Sequence, residues 1–170
     1  MSNRLLRAAM PAALVLCAAA ALTQPAEAAL GGSPLPTPSD ATTVTLAPTA
    51  HAASAAANGS GASAAAAYTV RATTYSSGTR VREYVGADGN VFGLAWNGPR
   101  MPDLQALLGN YFPQYASGVQ ALKARRPGRG PVAVEQSDLV VHSGGHMGSF
   151  FGQAWLPSAL PAGVTGSDIK

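Results

Sequence analysis

The sequence predicts an α+β domain: an antiparallel sheet built from two three-stranded meanders, in the order βββ-α-βββ, packed on one kinked central helix. Three observations carry this expectation. A pentapeptide occurs twice, as Phe92-Gly93-Leu94-Ala95-Trp96 and as Phe151-Gly152-Gln153-Ala154-Trp155. Runs rich in β-branched and aromatic residues, punctuated by Gly-containing turns, surround each copy. Between the copies lies the chain's clearest helical pattern. A helix on one face of an antiparallel sheet is the economical way to bury both. Successive strand side chains point to opposite faces, so each pentapeptide is expected to carry its aromatic rings on one face and Gly and Ala on the other.

The N-terminus stands apart from the fold. Arg4 and Arg7 precede an apolar run from Ala8 to Leu22, followed by Ala26-Glu27-Ala28. This is the layout of a signal peptide over residues 1–28, with small residues before a cleavage point after Ala28. The run is shorter than the roughly 20 residues a spanning helix needs, and no transmembrane segment is expected in the mature chain. The expected location is therefore outside the cytoplasm, in the periplasm or beyond it. Cys17 is the only cysteine and falls inside the apolar run, where Leu16 rather than a small residue precedes it. A mature chain without cysteine has no disulfide and depends on a packed core.

Residues 29–67 begin Ala29-Leu30-Gly31-Gly32 and continue as a Pro/Ala/Ser/Thr stretch with no aromatic side chain. So little bulky apolar surface predicts a flexible spacer, although Thr43-Val44-Thr45-Leu46 fits one edge strand. The α+β domain proper is expected over 68–170. Tyr68 to Thr74, Thr79 to Val85 and Asn90 to Trp96 read as strands, joined at Ser76-Ser77-Gly78 and at Asp88-Gly89, a strong hairpin signal. Arg80, Arg82 and Glu83 read as a solvated strand face.

A helix is expected from Pro102-Asp103, where Pro suits the first turn and Asp the positive helix end. Leu104, Leu107, Leu108, Tyr111, Phe112, Tyr115, Val119 and Leu122 follow at spacings of three and four, one continuous apolar face. Pro113 would break the bond to the Gly109 carbonyl, so a kink is expected there. Lys123, Arg125 and Arg126 fill the last turn before Pro127-Gly128. Strands then return at Pro131 to Glu135, Asp138 to His142 and Gly148 to Trp155, with a turn at Ser143-Gly144-Gly145 and an irregular tail.

A formal net charge of +3 on a chain with 11% charged residues excludes the dense basic footprint of a nucleic-acid binder. Arg125, Arg126 and Arg129 form a small cluster that could meet an anionic polymer. Trp96 and Trp155 could stack a sugar or an aromatic ligand, against the commoner role of core residues. His142 and His146 flank Ser143-Gly144-Gly145, and across a hairpin two imidazoles near Glu135 and Asp138 could hold Zn²⁺. Two His make a thin ligand set, and no cofactor is otherwise expected. No Gly-x-Ser-x-Gly elbow surrounds Ser143, and no catalytic residue is assigned.

The runs Tyr68-Thr69-Val70-Arg71, Val81-Arg82-Glu83-Tyr84-Val85 and Asp88-Gly89-x-Val91-Phe92 carry a family resemblance. Trp96-x-Gly98-Pro99, Pro102-Asp103-Leu104 and Leu108-Gly109-x-Tyr111-Phe112 extend it. In these the chain resembles the secreted proteobacterial domain-of-unknown-function family 2844 over nearly all of its mature length. The resemblance implies an exported small domain and brings no catalytic assignment. The reading is a non-catalytic binding or envelope-associated module with an unidentified envelope or secreted partner. The alternative is a metal-dependent or hydrolytic enzyme centred on His142 and His146.

Overall fold

The computed structural model describes residues 29–51, 66–126, 128 and 130–170. Segment 1–28, read above as a signal peptide, the middle of the expected spacer, Pro127 and Arg129 lie outside the described residues. Seven strands form one antiparallel sheet: β1 (Ala41–His51), β2 (Ala66–Tyr75), β3 (Arg80–Val85), β4 (Val91–Gly98), β5 (Val132–Glu135), β6 (Val140–His146) and β7 (Ser149–Trp155). Their order is β1-β2-β3-β4-β7-β6-β5. The α+β class stands, but the expectation of two meanders is corrected: β4 and β7 pair directly and fuse both halves into a single sheet.

The two pentapeptides are that junction. They run antiparallel with Gly93 opposite Trp155 and Trp96 opposite Gly152. Each Trp therefore faces the glycine of the other copy. Gly93 and Trp96 are three residues apart, so the two pairs project from opposite faces of the sheet. Trp96 enters the main core with Leu94, Val81, Val141, Leu107 and Leu108. A Cβ on Gly152 would overlap Cζ2 of this ring. On the other face, a Cβ on Gly93 would come within 2.7 Å of Ile169 Cδ1, and Trp155 lies against Gly166 of the C-terminal tail.

The expected split of aromatic and small residues holds for the second copy and fails for the first. Tyr84 pairs with Gly93 but Val85 pairs with Val91, which leaves Phe92 as an extra residue in β4. This bulge turns Phe92 away from the Trp96 side. Its ring instead meets Tyr68 edge-on, with centroids 5.6 Å apart, and packs near Tyr84. A second, smaller core forms there from Tyr68, Val70, Tyr84, Phe92, Val164 and Ile169.

The helix breaks where proline dictates. α1 (Leu104–Leu108) is capped by Asp103, whose Oδ1 accepts from the Gln105 and Ala106 amides at 2.9 and 3.2 Å. A 3₁₀ turn over Gly109–Tyr111 leads to α2 (Phe112–Arg125), with Pro113 in its first turn, where no N–H is missed. The apolar face is shorter than its periodicity suggests. Leu107 and Leu108 are buried, Leu104, Tyr111, Phe112 and Tyr115 pack against the core from the rim, and Leu122 is exposed. α2 approaches β5 closely at Gly118, where a Cβ would meet Val134 Cγ1 at 2.6 Å. Among the described residues no helix is long and apolar enough to cross a membrane.

The chain before β2 belongs to the fold wherever it is described. Ala29 and Leu30 are fully buried. The Leu30 amide donates to the Leu107 carbonyl at 3.0 Å, and Gly31 and Gly32 bond both sides of Val91. The stretch read as a possible edge strand is the 11-residue β1, paired along β2 with a shift between Leu46 and Thr49. Composition hid this because β1 draws its stability from ladder hydrogen bonds on an existing edge, not from bulky side chains.

Three substitutions test the seam by chemical denaturation. Gly152→Ala is expected to cost about 1–3 kcal/mol, since the added methyl must displace the Trp96 ring. Trp96→Ala is expected to cost about 3–5 kcal/mol and Trp155→Ala less, because Trp96 is buried and Trp155 only half so.

Candidate functional site

The helices and the strap of residues 29–37 occupy one face of the sheet; the other is only partly covered. Its alternation is set by Tyr84, Gly93 and Trp155 in one row, and Arg82, Ala95, Gln153 and His142 in the next. The C-terminal tail lies over the first row. Ile169 rests on Gly93, and both Arg82 Nη1 and the Tyr84 hydroxyl donate to the Lys170 carbonyl. Lys170 meets the second row only at Arg82. What remains is a groove of about 470 Å³ along β4, within the size range of ligand sites.

Ala95 is its floor. Long side chains flank this small residue in register, Arg82 on β3 and Gln153 on β7. One row further, Asn97 faces Phe151, whose ring leans over Gly144 of β6 and is 55% exposed. Arg82, its guanidinium held by the Lys170 main-chain oxygen, lies on one side; Gln153 and Phe151 make the other amide and aromatic. Among the described residues, no Asp or Glu lines the groove.

His142 closes the far side. Its Nε2 lies 2.9 Å from Glu135 Oε1, and its ring meets Trp155 edge-on with centroids 5.3 Å apart. His146 does not join it. The strand β6 runs straight through Ser143-Gly144-Gly145, and the turn falls at Met147-Gly148, where Gly148 has φ +86°. The expected hairpin turn is thus displaced, and the two histidines sit four residues apart on one strand, roughly 13 Å at strand spacing. His146 Nδ1 instead lies 3.0 Å from the Met147 carbonyl. Asp138 accepts from Gln114 across to α2. Among the described residues, no three His, Cys, Asp or Glu side chains come together as a metal set.

The other residues singled out above lie elsewhere. Arg125 and Arg126 are exposed at the C-terminal end of α2, on the helix side of the sheet. Trp96 and Trp155 do not share a pocket, since they occupy opposite faces. Trp96 serves the core; its Nε1 is a buried donor with no partner among the described residues. Arg82, Ala95, Asn97, Gln153 and Phe151 were not picked out as a site by sequence. The available signal was Gln153, the one polar residue where the first pentapeptide has Leu94.

Glu83 requires a further correction: it is 2% exposed and belongs to no solvated face. Its carboxylate accepts the Leu35 amide at 2.8 Å and pairs with Arg71 Nη1 at 3.3 Å. Arg71 donates in turn to the Leu35 carbonyl at 2.8 Å and to Thr37 Oγ1 at 3.3 Å. The pair thus pins the N-terminal strap to β2 and β3. Burial pushes the Glu83 carboxyl above its ordinary range, while the Leu35 amide and Arg71 pull it back.

A family model described as "Protein of unknown function (DUF2844)" matches residues 26–169. The chain belongs to this family. A comparison with curated proteins and one with solved structures give no match. Nothing transferable about activity accompanies DUF2844 membership, so the groove has to be read from its own chemistry.

The raised Glu83 pKa has a defined sign. A carboxyl whose folded pKa lies above its unfolded value contributes most below the unfolded value, and loses that contribution as pH rises through the folded one. The denaturation midpoint of Glu83→Gln, compared with the parent across pH, should therefore lack a stability decline that the parent shows just above the ordinary glutamate range.

Proposed function

We propose that this member of DUF2844 is an exported, non-catalytic binding module whose ligand lies in the groove over Ala95. The observation that carries this is the in-register row Arg82, Ala95, Gln153, which sets a small floor between two long polar side chains on rigid central strands. Sites built on strands hold their geometry better than sites on loops. Export rests on Arg4, Arg7, the apolar run and Ala26-Glu27-Ala28. An enzyme centred on His142 and His146 is the weaker reading, because the two rings lie apart along one strand. Attachment to anionic envelope polymers through Lys123, Arg125, Arg126 and Arg129 is a third reading; the first three of these lie at the end of α2, away from the groove.

Amide chemical-shift mapping tests the site with a panel of mono- and oligosaccharides, carboxylic acids, phosphate and Zn²⁺. Shifts clustered at Ala95, Asn97 and Gln153, and lost in Ala95→Leu with its fold intact, are the expected result. Shifts confined to His146 or the end of α2, shifts that persist in Ala95→Leu, or no shift in the groove with any probe would overturn it.

A further inference from the structure

We infer that the outer edge of β1 pairs with the same edge of a second copy, joining two seven-stranded sheets antiparallel across a two-fold axis. The contact is independent of the groove. Three observations carry it.

First, the outer backbone groups of β1 have no partner among the described residues, because the sheet ends at this strand. The Ser76 amide donates to the Asp40 carbonyl, which places Asp40, Thr42, Val44 and Leu46 at the bonded positions of the β1–β2 ladder. Thr43 and Thr45 then turn both N–H and C=O away from β2. The Thr43 and Thr73 hydroxyls meet at 2.8 Å, the close approach expected where two facing backbones exchange no bond. A row of outward backbone groups recognises an extended strand.

Second, this edge lacks the devices that keep strands apart. No charged residue occurs from Ala41 to Ala50. Val44 is 53% and Leu46 49% exposed, and both project from one face because they are two residues apart. Pro48 and the register shift between Leu46 and Thr49 confine the open stretch to Ala41–Leu46. The opposite edge of the sheet is defended. There β5 has only 4 residues, ends in Glu135 and lies against α2 at Gly118. Pairing at β1 therefore closes at two copies instead of growing into a fibre.

Third, the stretch complements itself. With the axis at Thr45, that residue exchanges both backbone bonds with its own counterpart. Val44 of each copy then lies opposite Leu46 of the other, at the positions where facing side chains approach most closely. No like charges meet. A foreign strand would have to bring apolar side chains at the same spacing, whereas a second copy always carries them. An edge of about six residues buries less than a standard interface, so the dimer belongs to the weak, micromolar class.

Sedimentation velocity and amide hydrogen exchange of the full mature chain, from about 5 to 500 µM, provide the test. The expected result is a monomer that becomes a dimer as concentration rises, with the Thr43 and Thr45 amides gaining protection as it forms. Thr45→Pro removes an outward donor and leaves the bonds to β2 in place. Val44→Lys/Leu46→Lys puts charge at the contact instead. Each should weaken dimerisation about tenfold or more, with near-UV circular dichroism at the lowest concentration matching the parent. A parent that stays monomeric throughout overturns the inference. So does a dimer in which both amides exchange freely, or one that the Lys variant forms equally well. Protection of both amides at every concentration would mean that the chain covers its own edge, and overturns it too.

Discussion

The close approach of Trp96 to Gly152 is the contact on which the rest of the sheet depends. A central strand pair has to bury a large ring against the helices while its backbones stay within hydrogen-bonding distance. That is possible only where the facing residue carries no side chain. The second pentapeptide repeats the requirement on the opposite face, where Gly93 gives Ile169 room and Trp155 rests on Gly166. One short motif thus solves two packing problems, because antiparallel pairing sets each Trp against the other copy's Gly.

From that seam the two faces acquire different characters. The helix side is sealed by Leu107 and Leu108, and by a strap whose polar backbone is satisfied through the Glu83–Arg71 pair. A buried ion pair of this kind contributes little net stability against an apolar alternative, but removing one partner strands the other. Its value here is positional, since it fixes where Leu35 and Thr37 cross β2 and β3. The other face is covered only as far as the tail reaches. Past the row of Tyr84, Gly93 and Trp155 the sheet presents its own side chains, with Ala95 at the base of the hollow among them.

Much of the fold could be read from the sequence, and the places where reading failed share a cause. Strand runs, the Asp103 start, the break near Pro113 and the basic last turn of α2 all follow from local chemistry. The direct pairing of β4 with β7 does not, because register between distant strands is set by burial on both faces at once. The bulge at Phe92 is invisible for the same reason. Gly144-Gly145 resembled a turn but lies within β6, where Gly144 makes room for the Phe151 ring. Glu83 looked solvated because its partner Arg71 sits on another strand and its amide donor in a stretch that composition marked as spacer. The groove was least legible of all: its floor is an alanine, and only the Leu94-to-Gln153 difference between the repeats hinted at it.

The position of that seam also governs how the chain finds its structure. β2, β3 and β4 are neighbours in sequence as well as in space, and so are β5, β6 and β7. Each meander can close through short turns at little entropic cost. Joining β4 to β7 requires the whole helical crossover to be gathered first, a long-range closure whose entropy must be lost before any contact repays it. The repeated pentapeptide therefore sits at the slow step. A defect there would leave two half-sheets with exposed central edges, the kind of surface that pairs with other chains instead of its own.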